Sequence, residues 1–422
     1  MSKILIYIEP HPIRGSLTHF VDVLDSISSI FLHQNGNTIK IYSNLQTLDK
    51  IIEKGYVPID SFLPPTPEEQ DFFESLLVDW TSEGIPLWLQ LLTGGDICKY
   101  YQNILQKLHS RFSFDYIFYW GTNQAVKNFS IQNHVRQLSL ELGCSRPPFE
   151  NTIVADPLGV NGNSFLCDVS VNDLPASSKE NWLMEMILRN QEVYQLSYDY
   201  CYSEELLRVS NKKIAFIPLQ LFDDANLLIF SPFSSLKEFL KACLPRLLND
   251  GYYCIIKEHP ASKFRRGAQE SNLEAKIYAF SLSLSNITWI SCSDNSPSNC
   301  FFYCISELVI TNNSSAGFEA LLYDLPVVVL GKAVYKMKDA FPSLEEALSG
   351  KINYSSYKKN IKKILSFFYN YYLISSETAK TSIDLISHLK NISNLPTIRG
   401  NDDRTEWINF FCEAEVNKNL YE

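Results

Sequence analysis

Three polar stretches in the second half of the chain carry residue types suited to a phosphorylated substrate. The first is Thr311-Asn312-Asn313-Ser314-Ser315-Ala316-Gly317-Phe318-Glu319-Ala320-Leu321. An apolar run, 307–310, stops abruptly in amide and hydroxyl side chains, and a helix is expected to start at about Ser315. Free backbone N–H groups and two hydroxyls at a helix start suit an anion. Asn313, Ser314 and Ser315 could equally serve as a plain helix cap, since capping and phosphate binding use the same atoms. Glu319 lies one helical turn on and can face the same cleft. The second stretch is Lys257-Glu258-His259-Pro260. Proline ends a strand because it cannot donate to the ladder, which leaves the His259 imidazole at a strand edge, able to donate to a phosphate or leaving oxygen. The third is Gln220-Leu221-Phe222-Asp223-Asp224, two adjacent carboxylates after a strand. They read either as a solvated turn or as a nucleophile or base.

A fourth group lies nearer the middle. Glu150-Asn151 follows Pro147-Pro148 and precedes Asp156-Pro157-Leu158-Gly159-Val160-Asn161. A glutamate held among prolines and aromatics can have a raised pKa and act as acid or base, although a surface loop residue is the plainer reading.

These residues must be positioned by a scaffold, and the hydrophobic pattern names it. Strands are expected at 3–8, 38–42, 115–120, 213–218, 252–257, 287–290, 308–311 and 327–330. Helical patterns fall at 17–32, 68–80, 97–111, 178–195 and 234–249, with a mostly helical tail from about Leu344. The stretch 147–163 reads as loop. Strand–helix alternation in both halves predicts an α/β fold with two parallel sheets. The expected partition is 1–205, 206–395 and a helical tail, 396–422, with the boundary in the region 197–211.

Composition narrows the class. The chain has 422 residues, enough for two domains with sizeable cores. Its formal net charge of -10 argues against a nucleic-acid protein. No apolar run reaches the roughly 18–20 residues that a membrane span needs. The first residues, Met1 to Glu9, are too short and too soon acidic for a signal peptide, so a cytoplasmic protein is expected, with peripheral association at the inner membrane through a partner as the accompanying expectation. The ten cysteines show no CxxC pair and are expected as free thiols. Neither Gly-x-Gly-x-x-Gly nor a Walker sequence occurs.

Taken together and in this order, the four segments resemble the bacterial retaining β-Kdo glycosyltransferases of the capsule and O-antigen polysaccharide biosynthesis superfamily. The likeness covers about Glu150 to Gly331 and is loose before residue 140. It implies a GT-B architecture: two Rossmann-like domains with parallel sheets facing a central cleft, the C-terminal one binding CMP. It implies CMP-β-Kdo as donor, CMP as product, no other cofactor, and a lipid-linked glycan acceptor. Carried over residue by residue, Asp224 matches the nucleophile, with Asp223 as the other candidate. Glu150 matches the carboxylate beside it, His259 the histidine of the His-Pro motif, and Ser314 and Ser315 the phosphate-binding pair. Asn313, Glu319, Lys257 and Gln220 belong with the donor site. No metal is expected. The Kdo carboxylate needs a cation, for which Arg14, Lys257, Lys263, Arg265, Arg266 and Lys336 are candidates. Competing readings are an inverting CMP-sialic-acid-type transferase, a CDP-glycerol glycerophosphotransferase and a non-catalytic glycan-binding module.

Overall fold

The computed structural model describes residues 1–55, 57–147, 149–175, 211–292, 298–395 and 401–413. Among them run twelve strands: β1 Lys3–Tyr7, β2 Thr38–Tyr42, β3 Phe62–Leu63, β4 Tyr116–Trp120, β5 Arg136–Leu142, β6 Thr152–Asp156, β7 Ile214–Pro218, β8 Tyr253–Lys257, β9 Ile287–Ile290, β10 Leu308–Thr311, β11 Val327–Val329 and β12 Ile374–Ser375. They form two sheets, one in each of two compact units.

The first unit comprises Met1–Gly143, Asn151–Phe165 and Asn370–Glu422. Its seven-stranded sheet has the order β12-β6-β5-β4-β1-β2-β3. β1 to β5 pair in parallel. β6 runs antiparallel to both β5 and β12, so this sheet is mixed rather than wholly parallel. The second unit comprises Cys144–Glu150 and Leu166–Tyr369. Its five strands lie in the order β11-β10-β7-β8-β9, all parallel. Their sequences, such as IAFIP, YCIIK and VVV, are buried at every position. Near-continuous apolar runs are what a parallel strand covered on both faces requires. The helix Leu236–Asn249 covers one face with Phe239, Leu240, Cys243, Leu244 and Leu247, all fully buried in one core with β7 and β8.

The α/β class and most strands follow the sequence expectation. The expected helix at 178–195 and the domain boundary near 205 lie outside the described residues. The linear partition does not hold elsewhere. Residues 370–395, expected in the C-terminal domain, belong to the first unit, where β12 pairs with β6. The tail is not separate either: Trp407 and Phe411, on the helix Asn401–Glu413, stack against Phe165 of that unit at 5.1 and 5.5 Å between ring centroids. The stretch expected to be loop, 147–163, contains β6, whose five residues are all buried. Prolines and glycines on both sides hid a Thr-Ile-Val run that is a good strand former. Residues 17–32, expected as one helix, form a 3₁₀ segment Val21–Ile27 and a short turn of α-helix Ser29–Leu32.

Asp156, at the end of β6, shows why its motif exists. Its carboxylate is fully buried and accepts five hydrogen bonds. Oδ1 takes the N–H groups of Leu158 and Gly159; Oδ2 takes Ser164 Oγ at 2.7 Å, Tyr372 Oη at 2.9 Å and the N–H of Phe165. It ties the loop after β6 to the returning segment before β12. Asp156→Ala strands several buried donors, each costing roughly 1–3 kcal/mol. Lowering of the urea midpoint equivalent to about 2–4 kcal/mol is expected; an unchanged midpoint would refute this structural role.

Candidate functional site

In the second unit the polar residues gather where β7, β8 and β10 end. The strand order makes β7 a switch point: the chain continues to β8 on one side and returns to β10 on the other. Open parallel sheets leave a crevice at such a place, outside the carboxyl ends of the strands. Gln220, two residues beyond β7, and Asn312, directly after β10, close it at the base. Asn312 Nδ2 donates to Gln220 Oε1 at 3.1 Å, and both residues are buried. Asn313 is used similarly, its Nδ2 donating to the Asn226 carbonyl at 2.8 Å.

Above this base lies a cavity of about 280 Å³ lined by Arg146, Pro147, Pro218, Leu219, Lys257, Glu258, His259, Pro260, Ser298, Asn299, Cys300, Ser314, Ser315, Ala316 and Glu319. Five residues singled out from the sequence therefore meet here, from three elements: Lys257, His259, Ser314, Ser315 and Glu319. The helix Ser315–Leu321 is short, and Ser314 caps it by accepting from the Ala316 N–H at 3.2 Å. Ser314 is held from behind as well. Its N–H donates to Thr311 Oγ1 at 3.1 Å, and its carbonyl accepts from Tyr335 Oη at 2.5 Å. Gly317 permits this close packing: a Cβ there would collide with the Tyr335 hydroxyl and come 2.8 Å from Thr311 Cγ2.

His259 is fixed by its own turn. Its Nδ1 accepts from the Ala261 N–H at 3.1 Å, so in the neutral ring the proton sits on Nε2. A donor is thereby presented at the strand edge. Its neighbour Glu258 does something else, accepting from Trp289 Nε1 at 2.7 Å and from the Cys292 N–H at 3.0 Å. The two acidic and basic groups at the back of the cavity are nearly desolvated. Lys257 Nζ donates to Asn299 Oδ1 at 2.8 Å and lies 5.6 Å from the Phe302 ring centroid. Burial pushes its pKa down to about 8. Glu319, 8% exposed, accepts from Tyr303 Oη at 3.1 Å. Burial drives its pKa up to about 7, against the opposing pull of the Tyr303 hydroxyl, Arg146 and Lys257. An anion arriving in this cavity would meet Arg146, the Lys257 ammonium and the His259 N–H, and would favour the charged lysine.

The remaining sequence candidates stand elsewhere in the unit. Gln220 and Asn313 support the base and do not line the cavity. Asp224 is half-buried and caps the helix Ala225–Phe230, its Oδ1 accepting from the Asn226 N–H at 2.8 Å. Asp223 is only 1% exposed and lies 3.8 Å from Arg265 Nη1. Glu150 is half-buried at the end of the segment Cys144–Glu150 and is not among the cavity-lining residues. Of the cations considered for a carboxylate, only Lys257 lines the cavity. Lys336 donates to the Gly331 carbonyl at 3.0 Å, and Lys263 lines a neighbouring hollow. Arg146 and Asn299 were missed. Arg146 directly precedes the Pro147-Pro148 pair, which was the available signal; Asn299 sits in a short helix, Asn299–Ile305, that no local pattern links to Lys257.

A polar crevice at the switch point of an α/β unit, lined by cations and hydroxyls, is an arrangement suited to a phosphorylated ligand. Residues 177–340 match the family described as capsule polysaccharide biosynthesis protein, which agrees with the capsule part of the resemblance read from the motifs. Three of the four motif segments fall within that match; Glu150 precedes it. No curated protein matches the chain. Among solved structures, the Thermosulfurimonas dismutans KpsC β-Kdo 2,7 transferase is similar at 21% identity, over 68% of this chain and 89% of that one, with a TM-score of 0.36. The β-Kdo 2,4 transferase of the same protein is similar at 16% identity, over 66% and 88%, with a TM-score of 0.40. The UDP-GlcNAc 2-epimerase from Neisseria meningitidis bound to UDP-GlcNAc is similar at 11% identity, over 97% and 99%, with a TM-score of 0.33. Likeness at this level carries nothing about chemistry, which rests on the chain's own residues. No helix among the described residues is long and apolar enough to cross a membrane.

The buried Glu319 yields a pH test. Its folded-state pKa lies above the ordinary 4.5, so the fold favours the protonated acid. That contribution is fully present below pH 4.5 and is lost as pH rises through 7. Glu319→Gln removes it. Between pH 5 and pH 8 the wild type should lose on the order of 2–3 kcal/mol relative to the Gln variant in urea titrations. Parallel curves for the two proteins would contradict the buried-acid assignment.

Proposed function

We propose that the protein is a glycosyltransferase that moves Kdo from CMP-β-Kdo to a hydroxyl of a bacterial surface glycan, with retention of configuration. The observation that carries this reading is the convergence of Lys257, His259, Ser314, Ser315 and Glu319 on one cavity from the ends of two strands, β8 and β10. Arg146, the Lys257 ammonium and the His259 N–H are suited to the phosphate of CMP and to the charge that develops as it leaves. Glu319, whose burial favours the protonated acid, suits a ribose hydroxyl better than a phosphate oxygen.

Kdo carries a carboxylate on its anomeric carbon, and its transfer passes through an oxocarbenium-like transition state. Retention implies two inverting displacements. In the first, Asp224 attacks C2, the C2–O bond to CMP breaks, and the electron pair leaves with the phosphate. In the second, the acceptor hydroxyl displaces Asp224 as its proton passes to Glu150. Asp224 is preferred to Asp223 because it keeps solvent exposure, whereas Asp223 is buried beside Arg265. His259, Lys257 and Arg146 supply the positive potential that a metal would otherwise give. With a charged donor and a lipid-linked acceptor, the reaction belongs in the cytoplasm, at the inner face of the membrane.

Two measurements test this. Calorimetric titration with CMP, UMP, UDP and CDP, in EDTA, should show selective binding of CMP that weakens at least tenfold in Ser314→Ala/Ser315→Ala. Preference for UDP, or no binding, would remove the donor assignment. Asp224→Asn keeps the helix cap, since Asn caps as well as Asp. It should retain CMP binding and lose roughly 10²–10⁴ of the transfer rate from CMP-β-Kdo. Near-normal transfer by that variant would eliminate Asp224 as nucleophile, and an inverted product would favour the sialic-acid-type mechanism.

A further inference from the structure

A second polar hollow lies beside the His259-Pro260 turn, and the reading above leaves it unused. It measures about 380 Å³, and its lining includes Ser262, Lys263, Gln269, Asn272, Leu273 and Lys276. Four of these come from one face of the helix Ala268–Leu282, at helical spacings of three and four. Asn272 is 5% exposed, yet its side-chain amide has no hydrogen-bond partner among the described residues. Buried amides normally find partners, so this one points to a ligand in the hollow. Lys276 is half-buried and forms no ion pair among the described residues. The helix itself starts after Gly267, which has φ +80° and no side chain to cap it, so the first-turn N–H groups lack an internal acceptor. Glu258 is the one carboxylate among the described lining residues, and it is already engaged by Trp289 Nε1 and the Cys292 N–H.

The same helix is built inside out. It turns Ala268, Ala275 and Ala279 to the core and leaves Leu273 56% and Ile277 62% exposed. An ordinary surface helix buries its large apolar residues. Phe264, 77% exposed, stands on the Lys263 side of the hollow, with Lys263 Nζ 4.7 Å from its ring centroid. Single exposed apolar residues need no explanation, but here three flank one cationic hollow. The two acids of the helix, Glu270 and Glu274, do not line the hollow, and Glu274 is paired with Lys237 at 2.9 Å.

We propose that this face docks on an anionic lipid bilayer, with a lipid phosphate in the hollow and Phe264, Leu273 and Ile277 at the boundary between headgroups and acyl chains. The phosphate accepts from the Lys263 and Lys276 ammonium groups, the Asn272 amide and the open N–H groups of the helix start. The apolar flank favours a lipid over a free phosphate, since a soluble anion would gain nothing from it. A formal net charge of -10 keeps the rest of the chain off an anionic surface, so contact is confined to this face. No partner protein is then needed to hold the chain at a membrane. The inference does not depend on the transferase reading.

Co-flotation of the full chain with liposomes tests it, using phosphatidylcholine alone and phosphatidylcholine mixed with phosphatidylglycerol. The chain should float with the mixed vesicles, stay behind with the neutral ones, and be released as salt rises from about 0.1 to about 1 M. Each lysine near an anionic surface is worth roughly fivefold in partitioning, so Lys263→Ala/Lys276→Ala should weaken binding on the order of 30-fold. Leu273→Ser/Ile277→Ser alters only exposed side chains; it should keep the melting temperature and weaken binding by about tenfold or more. Equal flotation with neutral vesicles, no flotation with either kind, or binding unchanged in either double variant overturns the proposal. Inorganic phosphate that binds in calorimetry while vesicles do not would make the hollow a soluble-anion site and overturn it as well. Titration with CMP separates this face from the donor cavity. Lys263→Ala/Lys276→Ala should leave CMP binding intact; weaker CMP binding with unchanged flotation would assign the hollow to the donor and remove the lipid. Flotation without any CMP binding would leave this face standing and remove the transferase reading.

Discussion

A parallel sheet covered on both faces has no interior place for a polar side chain. That constraint organises this protein. Every residue of β7, β8, β10 and β11 is buried, and their side chains are almost wholly apolar until the last position. Polar chemistry is therefore displaced to the ends of the strands, and the switch point in strand order decides which ends leave a gap. At that gap the backbone still needs partners, and the Asn313 amide supplies one by donating to the Asn226 carbonyl. The Asn312–Gln220 bond spans the ends of β10 and β7, while the Asn312 carbonyl accepts from the Gly331 N–H at 2.7 Å beyond β11. Losing one member of such a buried pair costs about 1–3 kcal/mol, because the other is left desolvated without a partner.

The same displacement gives the site its electrostatics. Lys257 is the last residue of β8 and Glu319 the inward-facing residue of a helix that starts just after β10. Both are nearly removed from water, and each is driven toward its neutral form. The two groups respond together to a ligand: a bound anion would favour charge on the lysine and protonation of the acid. Preorganisation of this kind places donors before the ligand arrives, which is where electrostatic catalysis gets most of its effect. His259 fits the scheme, since its Nδ1 is committed to the backbone and its proton is directed to Nε2.

Both units solve the switch-point problem in a related way. In the first, Glu9 and Asn123 bond across the gap between β1 and β4; in the second, Gln220 and Asn312 bond across the gap between β7 and β10. The difference lies in what surrounds the bond. Arg146, Lys257 and His259 make the second gap suited to anions, whereas the first gap is held by Glu9, His11 and two unsatisfied hydroxyls. Two similar scaffolds thereby differ in the charge of their strand ends through a handful of residues beyond the strands, as expected when chemistry resides in sites rather than in the fold.

Much of this could be read from the chain alone. The strands of the second unit were legible because continuous Ile, Val and Phe runs bounded by polar turns have few other interpretations. The His259-Pro260 turn and the Ser314-Ser315 cap were legible because proline and serine have positional meanings that operate within a few residues. What depended on tertiary structure was everything set by non-local burial. β6 was hidden because its strand character is expressed only against β5 and β12, the latter more than two hundred residues away. Arg146 and Asn299 joined Lys257 only through folding, and Asp223 and Asp224, adjacent in sequence, were sorted by the fold into a buried ion-pair member and a helix cap. The sequence determined which side chains were available for chemistry and the strands that carry them. Only the packed structure decided which were desolvated together, because burial depends on segments that share no local signal.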